Sequence, residues 1–123
     1  MKQRHPSRML LSEIPGDPPK QLELFALVNL GLVQSLASGI LTPTEVVERF
    51  YHAENCLYVQ RHLRKRGANA IMSRGVQLPD LFESLSEEEA RREFYQELET
   101  IHALCLKLLG EKRPRGLADH AVA

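Results

Sequence analysis

Two histidine–cysteine pairs are the first residues whose spacing suits chemistry. His52 and Cys56 stand four apart, and His102 and Cys105 three apart, so each pair can share one side of a helix. Two such pairs on facing helices would supply the four ligands of a tetrahedral Cys2His2 zinc site. The spacing matches no common zinc module, and both cysteines fall near apolar stripes. Two core thiols beside two partly exposed histidines are therefore the plainer expectation, and a small metal-dependent enzyme is kept as a third reading. Cys56 with His52 or His62 also offers a thiol next to a base. One turn of helix, however, supplies neither a third orienting group nor an oxyanion hole. Glu93, Glu97 and His102 lack the paired Glu-x-x-His pattern of di-metal bundles. Glu87, Glu88 and Glu89 read as a solvated first helical turn rather than a catalytic cleft. No GxGxxG, P-loop, GxSxG or HExxH pattern occurs. The expectation is a non-enzymatic protein with no cofactor.

Charge is the stronger signal. The chain carries 16 basic and 16 acidic residues, which cancel, so the global charge selects no partner. Locally it does not cancel. Between Asn55 and Pro79 there is no acid, while Arg61, Arg64, Lys65, Arg66 and Arg74 give +5. Between Asp80 and Glu99 eight acids face two bases. Arg61, Arg64, Lys65 and Arg66 at one helix end would form a compact cationic patch. The plain alternative is that they complement the helix dipole and are neutralised by the acidic helix within the fold. As a binding site, the patch would take another protein with an acidic surface, or a second copy of the chain. Nucleic acid held by the stretch 61–74 is the second reading. The acidic third of the chain weighs against it, as does the net negative second helix with Glu45, Glu48 and Glu54. No membrane contact is expected.

These residues must be positioned by helices. Asp17 followed by Pro18 and Pro19 opens a helix to about Ser38, apolar on most sides and suited to a bundle centre or an oligomer interface. Gly39 marks its end, and Gly31 inside it points to close approach of another helix. Thr42-Pro43-Thr44-Glu45 is a capping box. The second helix carries Val46, Val47, Phe50 and Tyr51. It stops near Asn55 or runs on, long or kinked, to Gly67; the longer form is favoured. Short helices over about Ala68–Ser73 and Pro79–Ser84 lead to a second capping box, Ser86-Glu87-Glu88-Glu89. The last helix then places Phe94, Leu98, Ile101, Cys105 and Leu108 on one stripe, with Gly110 as its stop. No segment alternates with a period of two. The expected fold class is all-α: a compact bundle of three long helices plus one or two short ones. Residues 1–17 form a flexible N-terminal arm, with Met9, Leu10, Leu11 and Ile14 available to clip onto the body. The helical domain spans 18–110, and 111–123 is a flexible tail.

Hydrophobic residues at 43% and charged residues at 26% fit a globular chain of one domain. The basic N-terminus is followed by no apolar core of a secretory signal. Two cysteines 49 apart make no disulfide framework. A cytoplasmic setting is expected.

The segment from Leu30 through Leu36, Gly39, Thr42-Pro43-Thr44-Glu45 and Val46 resembles the opening helix–turn–helix of small, uncharacterised bacterial all-helical domains. The resemblance covers about seventeen of the 123 residues. It implies an all-helical fold and a bacterial source, and no activity.

Overall fold

The structure, a computed structural model, describes residues 8–112. Five α-helices run in chain order: α1 (Pro18–Ala37), α2 (Pro43–Arg49), α3 (Ala53–Tyr58), α4 (Arg66–Ser84) and α5 (Glu87–Lys112). No strand occurs among the described residues, so the fold is all-α. The tail beyond residue 112 and residues 1–7 lie outside the described residues.

Local chemistry sets most of the helix ends. The Asp17 carboxylate accepts the Lys20 amide at 3.1 Å, with prolines in the first turn where no amide is needed. Gly39 leaves α1 at φ +79°, a left-handed conformation that glycine enters without a Cβ penalty. Thr42 and Glu45 form both bonds of a capping box, and Ser86 accepts the Glu89 amide. α1 buries one stripe fully: Gln21, Leu22, Phe25, Ala26, Asn29, Val33 and Leu36. Val28, Leu30 and Leu32 are partly buried against the core beside that stripe, so α1 is not enclosed as a bundle centre would be. Leu27 stays 49% exposed, and a Cβ on Gly31 would meet no atom within 4 Å, so no helix approaches there.

The expected long second helix is broken. Its first piece, α2, ends at Arg49, and His52 begins α3 by accepting the Asn55 amide on its ring Nδ1. The cause is packing. Phe50 and Tyr51 are both buried to within 1%. Neighbouring side chains on an unbroken helix point about 100° apart and diverge. The break turns both rings inward, edge to face at 5.3 Å. α3 continues into a π-helical turn, Val59–Leu63, and stops at Arg64, the one non-glycine residue with positive φ among those described.

The two short helices expected between Ala68 and Ser84 are one helix, α4, running through Pro79. Proline inside a helix costs about 3 kcal/mol. Burial of Ala68, Ile71, Met72 and Leu78 along α4 offsets it. Gly67 lies in its first turn and Gly75 near its middle, so neither ends a helix. Gly110 is likewise passed through, since α5 continues to Lys112.

α4 and α5 are joined by Leu85 and Ser86 and lie antiparallel. Three pairs fix the register: Phe82 packs on Phe94, Arg74 bonds Glu97 at 2.8 Å, and Gly67 faces Leu108. α1 packs along α5 to complete the core.

The N-terminal segment stitches the break between α2 and α3. Met9 N–H donates to the Arg49 carbonyl, and Leu11, at the start of a 3-10 turn, is 2% exposed. Asn55 holds the segment from the other side. Its Oδ1 accepts the Leu11 amide at 2.9 Å, and its Nδ2 donates to the carbonyls of Met9 and Phe50. Two more buried amides act alike: Gln21 bridges Ile14 and Tyr58, and Asn29 accepts the Tyr51 hydroxyl. No buried side-chain nitrogen or oxygen among the described residues lacks a partner.

Candidate functional site

The histidines and cysteines do not converge. Among the described residues no three His, Cys, Asp or Glu side chains come together to hold a metal ion. His52 has both ring nitrogens engaged, Nε2 with the Met9 carbonyl and Nδ1 with the Asn55 amide. It is a cap, with no free nitrogen for a metal or for Cys56. His102 is exposed on α5, while Cys105 of the same helix is fully buried. His62 stacks on Tyr58 at 4.6 Å. Glu97 is taken by Arg74. The alternative four-ligand arrangement of His52, Cys56, His102 and Cys105 therefore has no common centre among the described residues.

The thiols are also in the wrong electrostatic state for a nucleophile. Burial raises the pKa of Cys56, whose Sγ lies 4.0 Å from the Tyr51 carbonyl. An activated cysteine needs the opposite shift. Burial carries the Cys105 thiol from 9.0 up to about 12, and it raises the Tyr51 hydroxyl as well. A raised folded value means that the native chain holds its proton more tightly than the unfolded one. The contribution is whole below about pH 9 and is lost as pH climbs toward the folded value. Stability should fall above that pH, with a slope approaching ~1.4 kcal/mol per pH unit from Cys105. Urea midpoints across this alkaline range will measure it. Cys105→Ala should be less stable at neutral pH yet show a shallower alkaline slope.

The cations fare differently. Arg61, Arg64, Lys65 and Arg66 are all exposed. None takes part in the ion pairs among the described residues, which join Arg8 to Glu54, Arg74 to Glu97 and Arg91 to Glu87. Of the basic stretch, only Arg74 is neutralised by the acidic helix. Helix length explains why: α4 has 19 residues, so its two ends lie about 28 Å apart. That is more than three times the ~8 Å screening length of physiological salt. The acidic end cannot quench the basic end of the same molecule.

The four cations are not one cluster. Lys65 and Arg66 line a cleft of about 430 Å³ where α4 begins and α5 ends, with Lys107 and Glu111 on the opposite wall. Leu104, Leu108, Gly67 and Ala70 give it an apolar lining. Arg61 instead lines a smaller depression of about 210 Å³ with Leu10, Tyr58 and His62. Arg64 lines neither; it stands between them in sequence, at φ 54° and ψ 42°. A left-handed arginine costs roughly 1 kcal/mol, and the turn at this position keeps a cation where glycine would be cheaper.

Lys107, Leu104 and Leu108 were not visible as site residues in the sequence. The antiparallel register is the signal that would have found them: pairing Gly67 with Leu108 sets Lys107 across from Lys65 and Arg66.

No family model, no curated protein and no solved structure matches this chain. No helix among the described residues is long and apolar enough to cross a membrane.

Proposed function

We propose that the protein is a non-enzymatic binding module whose cleft between the start of α4 and the end of α5 takes an acidic protein surface. One observation carries this reading. Lys65, Arg66 and Lys107 outnumber the single acid Glu111 around a cleft lined by Leu104 and Leu108, and no ion pair among the described residues engages the cations of the basic stretch other than Arg74. Carboxylates around one or two apolar side chains complement that arrangement: the charges steer and orient, and the apolar residues fill the lining. Arg64 and Arg61 extend the field that the partner meets on approach.

A labelled peptide of alternating glutamate and leucine tests it by fluorescence anisotropy. Affinity should fall steeply with salt. Lys65→Glu with Arg66→Glu should weaken binding by roughly a hundredfold, about 2.7 kcal/mol for two reversed contacts. Both substitutions place acids at the positive start of α4, where they support the helix, so lost binding cannot come from unfolding. Unchanged affinity would remove the cleft as the site. Tighter binding of an oligonucleotide than of the peptide would give the stretch 61–74 to nucleic acid.

A further inference from the structure

We infer that the break between α2 and α3 is a docking groove for an extended segment of another protein, one that carries a cation three residues ahead of a buried leucine. The chain's own residues 8–14 occupy that groove in cis as a strap. The inference concerns a second site and is independent of the basic cleft.

The strap is held as a peptide ligand is held. Apart from the Arg8 guanidinium, it is its main chain that bonds to the body. Asn55 grips that main chain with both ends of its amide: Oδ1 accepts Leu11 N–H at 2.9 Å, and Nδ2 donates to the Met9 carbonyl at 3.0 Å. His52 Nε2 meets the same carbonyl at 3.0 Å, and Met9 N–H donates to the Arg49 carbonyl at 2.9 Å. Leu10, between the two gripped groups, is extended at φ −118° and ψ 117°. Main-chain bonds of this kind accept any extended sequence, and side-chain pockets supply the choice. Two such choices are visible. Leu11 is the apolar anchor at 2% exposure, and Arg8 pairs with Glu54 at 3.2 Å. Glu48 lines the same cleft as Arg8 and adds a second acid at the cationic end.

The strap fills the groove incompletely. Leu10 is half-buried and lines the open depression of about 210 Å³ together with Leu57 and Tyr58. On the other flank Arg8 borders a cleft of about 670 Å³ walled by Val47, Tyr51, Ala53, Cys56 and Val76. A segment that keeps the main-chain path and the leucine, with an aromatic side chain at the Leu10 position, gains apolar contact that the strap lacks. The strap's advantage is its tether to α1 through Pro15 and Gly16, which gives it an effective concentration on the order of millimolar. It therefore shuts the groove to weak ligands and yields to one that fills the groove better.

Fluorescence anisotropy of a labelled peptide with the sequence of residues 8–14 tests the inference on the full chain. Leu11→Asp in the protein expels the strap, since an apolar slot does not take a carboxylate, and it alters none of the residues that hold the strap. This variant should bind the peptide at least roughly tenfold more tightly than the wild-type chain does. The same peptide with Leu11→Asp should bind neither protein, and the peptide with Leu10→Phe should bind both more tightly than its parent. Circular dichroism shows whether the Leu11→Asp protein keeps its helices. If it does not, Arg8→Glu at an exposed position takes its place, with an expected gain of roughly threefold. A folded strap variant that binds the peptide no better than wild type, or binding that ignores Leu11→Asp in the peptide, overturns the groove. A Leu10→Phe peptide that gains nothing overturns displacement by a better-filling partner. A wild-type chain that dimerises in sedimentation velocity, and that Leu11→Asp returns to monomer, gives the groove to the N-terminal segment of a second copy and overturns its assignment to another protein.

Discussion

Gly75→Ala should destabilise the fold by about 3 kcal/mol, although alanine is the better helix former. The reason is the Tyr51 ring, which rests directly on the glycine. A Cβ at position 75 would lie 2.5 Å from Cδ2 and Cε2 of that ring and 2.6 Å from Cγ. No carbon contact survives at that distance, so the ring or α4 must move by about 1 Å. The ring cannot slide freely. It is about 1% exposed, and its hydroxyl is bound to Asn29 Oδ1 at 2.6 Å. Moving it leaves two buried polar atoms without partners. Overpacking and the lost bond outweigh the gain of roughly 1 kcal/mol that alanine brings to a helix interior. Two internal controls separate packing from propensity. At Gly31 in α1 and Gly110 in α5 a Cβ meets nothing within 4 Å, so alanine there should be neutral or stabilise by up to ~1 kcal/mol. Denaturant titration of the three variants will show one large loss and two small gains. Equal effects at all three would mean that Tyr51 does not seat on Gly75. Asn29→Leu combined with Gly75→Ala should lose less than the sum of the two single changes, because the ring is already unpinned.

The contrast between these glycines shows where the sequence is informative. Gly31 drew attention because a mid-helix glycine costs stability, yet nothing packs on it. Gly75 lies between the two short helices that the sequence suggests, yet it is the seat of a residue 24 positions away. Local chemistry was readable: Asp17 with its prolines, Thr42 with Glu45, Ser86 with Glu89, and the Phe94–Leu108 stripe all involve neighbours on one turn or one face. Contacts between elements were not. Nothing local says that Phe50 and Tyr51 must both turn inward, so the break after Arg49 was hidden in an apolar run. Pro79 looked like a boundary because its cost is local, while the burial that offsets it is tertiary. The site follows the same division. The exposure of Arg61, Arg64, Lys65 and Arg66 is a property of the stretch itself. Their division between two depressions, and the addition of Lys107, require the register of α4 against α5. Histidine and cysteine spacing along one helix conveys still less, because His52 serves as a cap and His102 is exposed while Cys105 is buried.

Asn55→Ala should cost about 4 kcal/mol, close to the largest effect available to a single side chain here. The side chain is 1% exposed and makes three hydrogen bonds, to Leu11 N–H, the Met9 carbonyl and the Phe50 carbonyl. Alanine leaves the Met9 carbonyl with His52, but it orphans Leu11 N–H and Phe50 C=O. Each unpaired buried group costs roughly 1–3 kcal/mol. Undocking the N-terminal segment would let water reach the Leu11 amide. That escape exposes Leu11, worth about 2 kcal/mol of burial, and still leaves the Phe50 carbonyl inside. The penalty is therefore bounded by undocking rather than by the sum of the bonds. Hydrogen exchange distinguishes the two responses: if the segment releases, the Met9 and Leu11 amides lose protection while those of α5 keep theirs. Asn55→Asp sharpens the test. It retains an acceptor for Leu11 but places a carboxylate against the Met9 and Phe50 carbonyls in place of a donor. The aspartate variant should be less stable than the alanine variant at neutral pH and should recover as acid protonates the carboxyl. An aspartate variant as stable as wild type would mean that the amide donor does not bridge the break between α2 and α3. The fold would then hold its two buried aromatic rings by some other restraint.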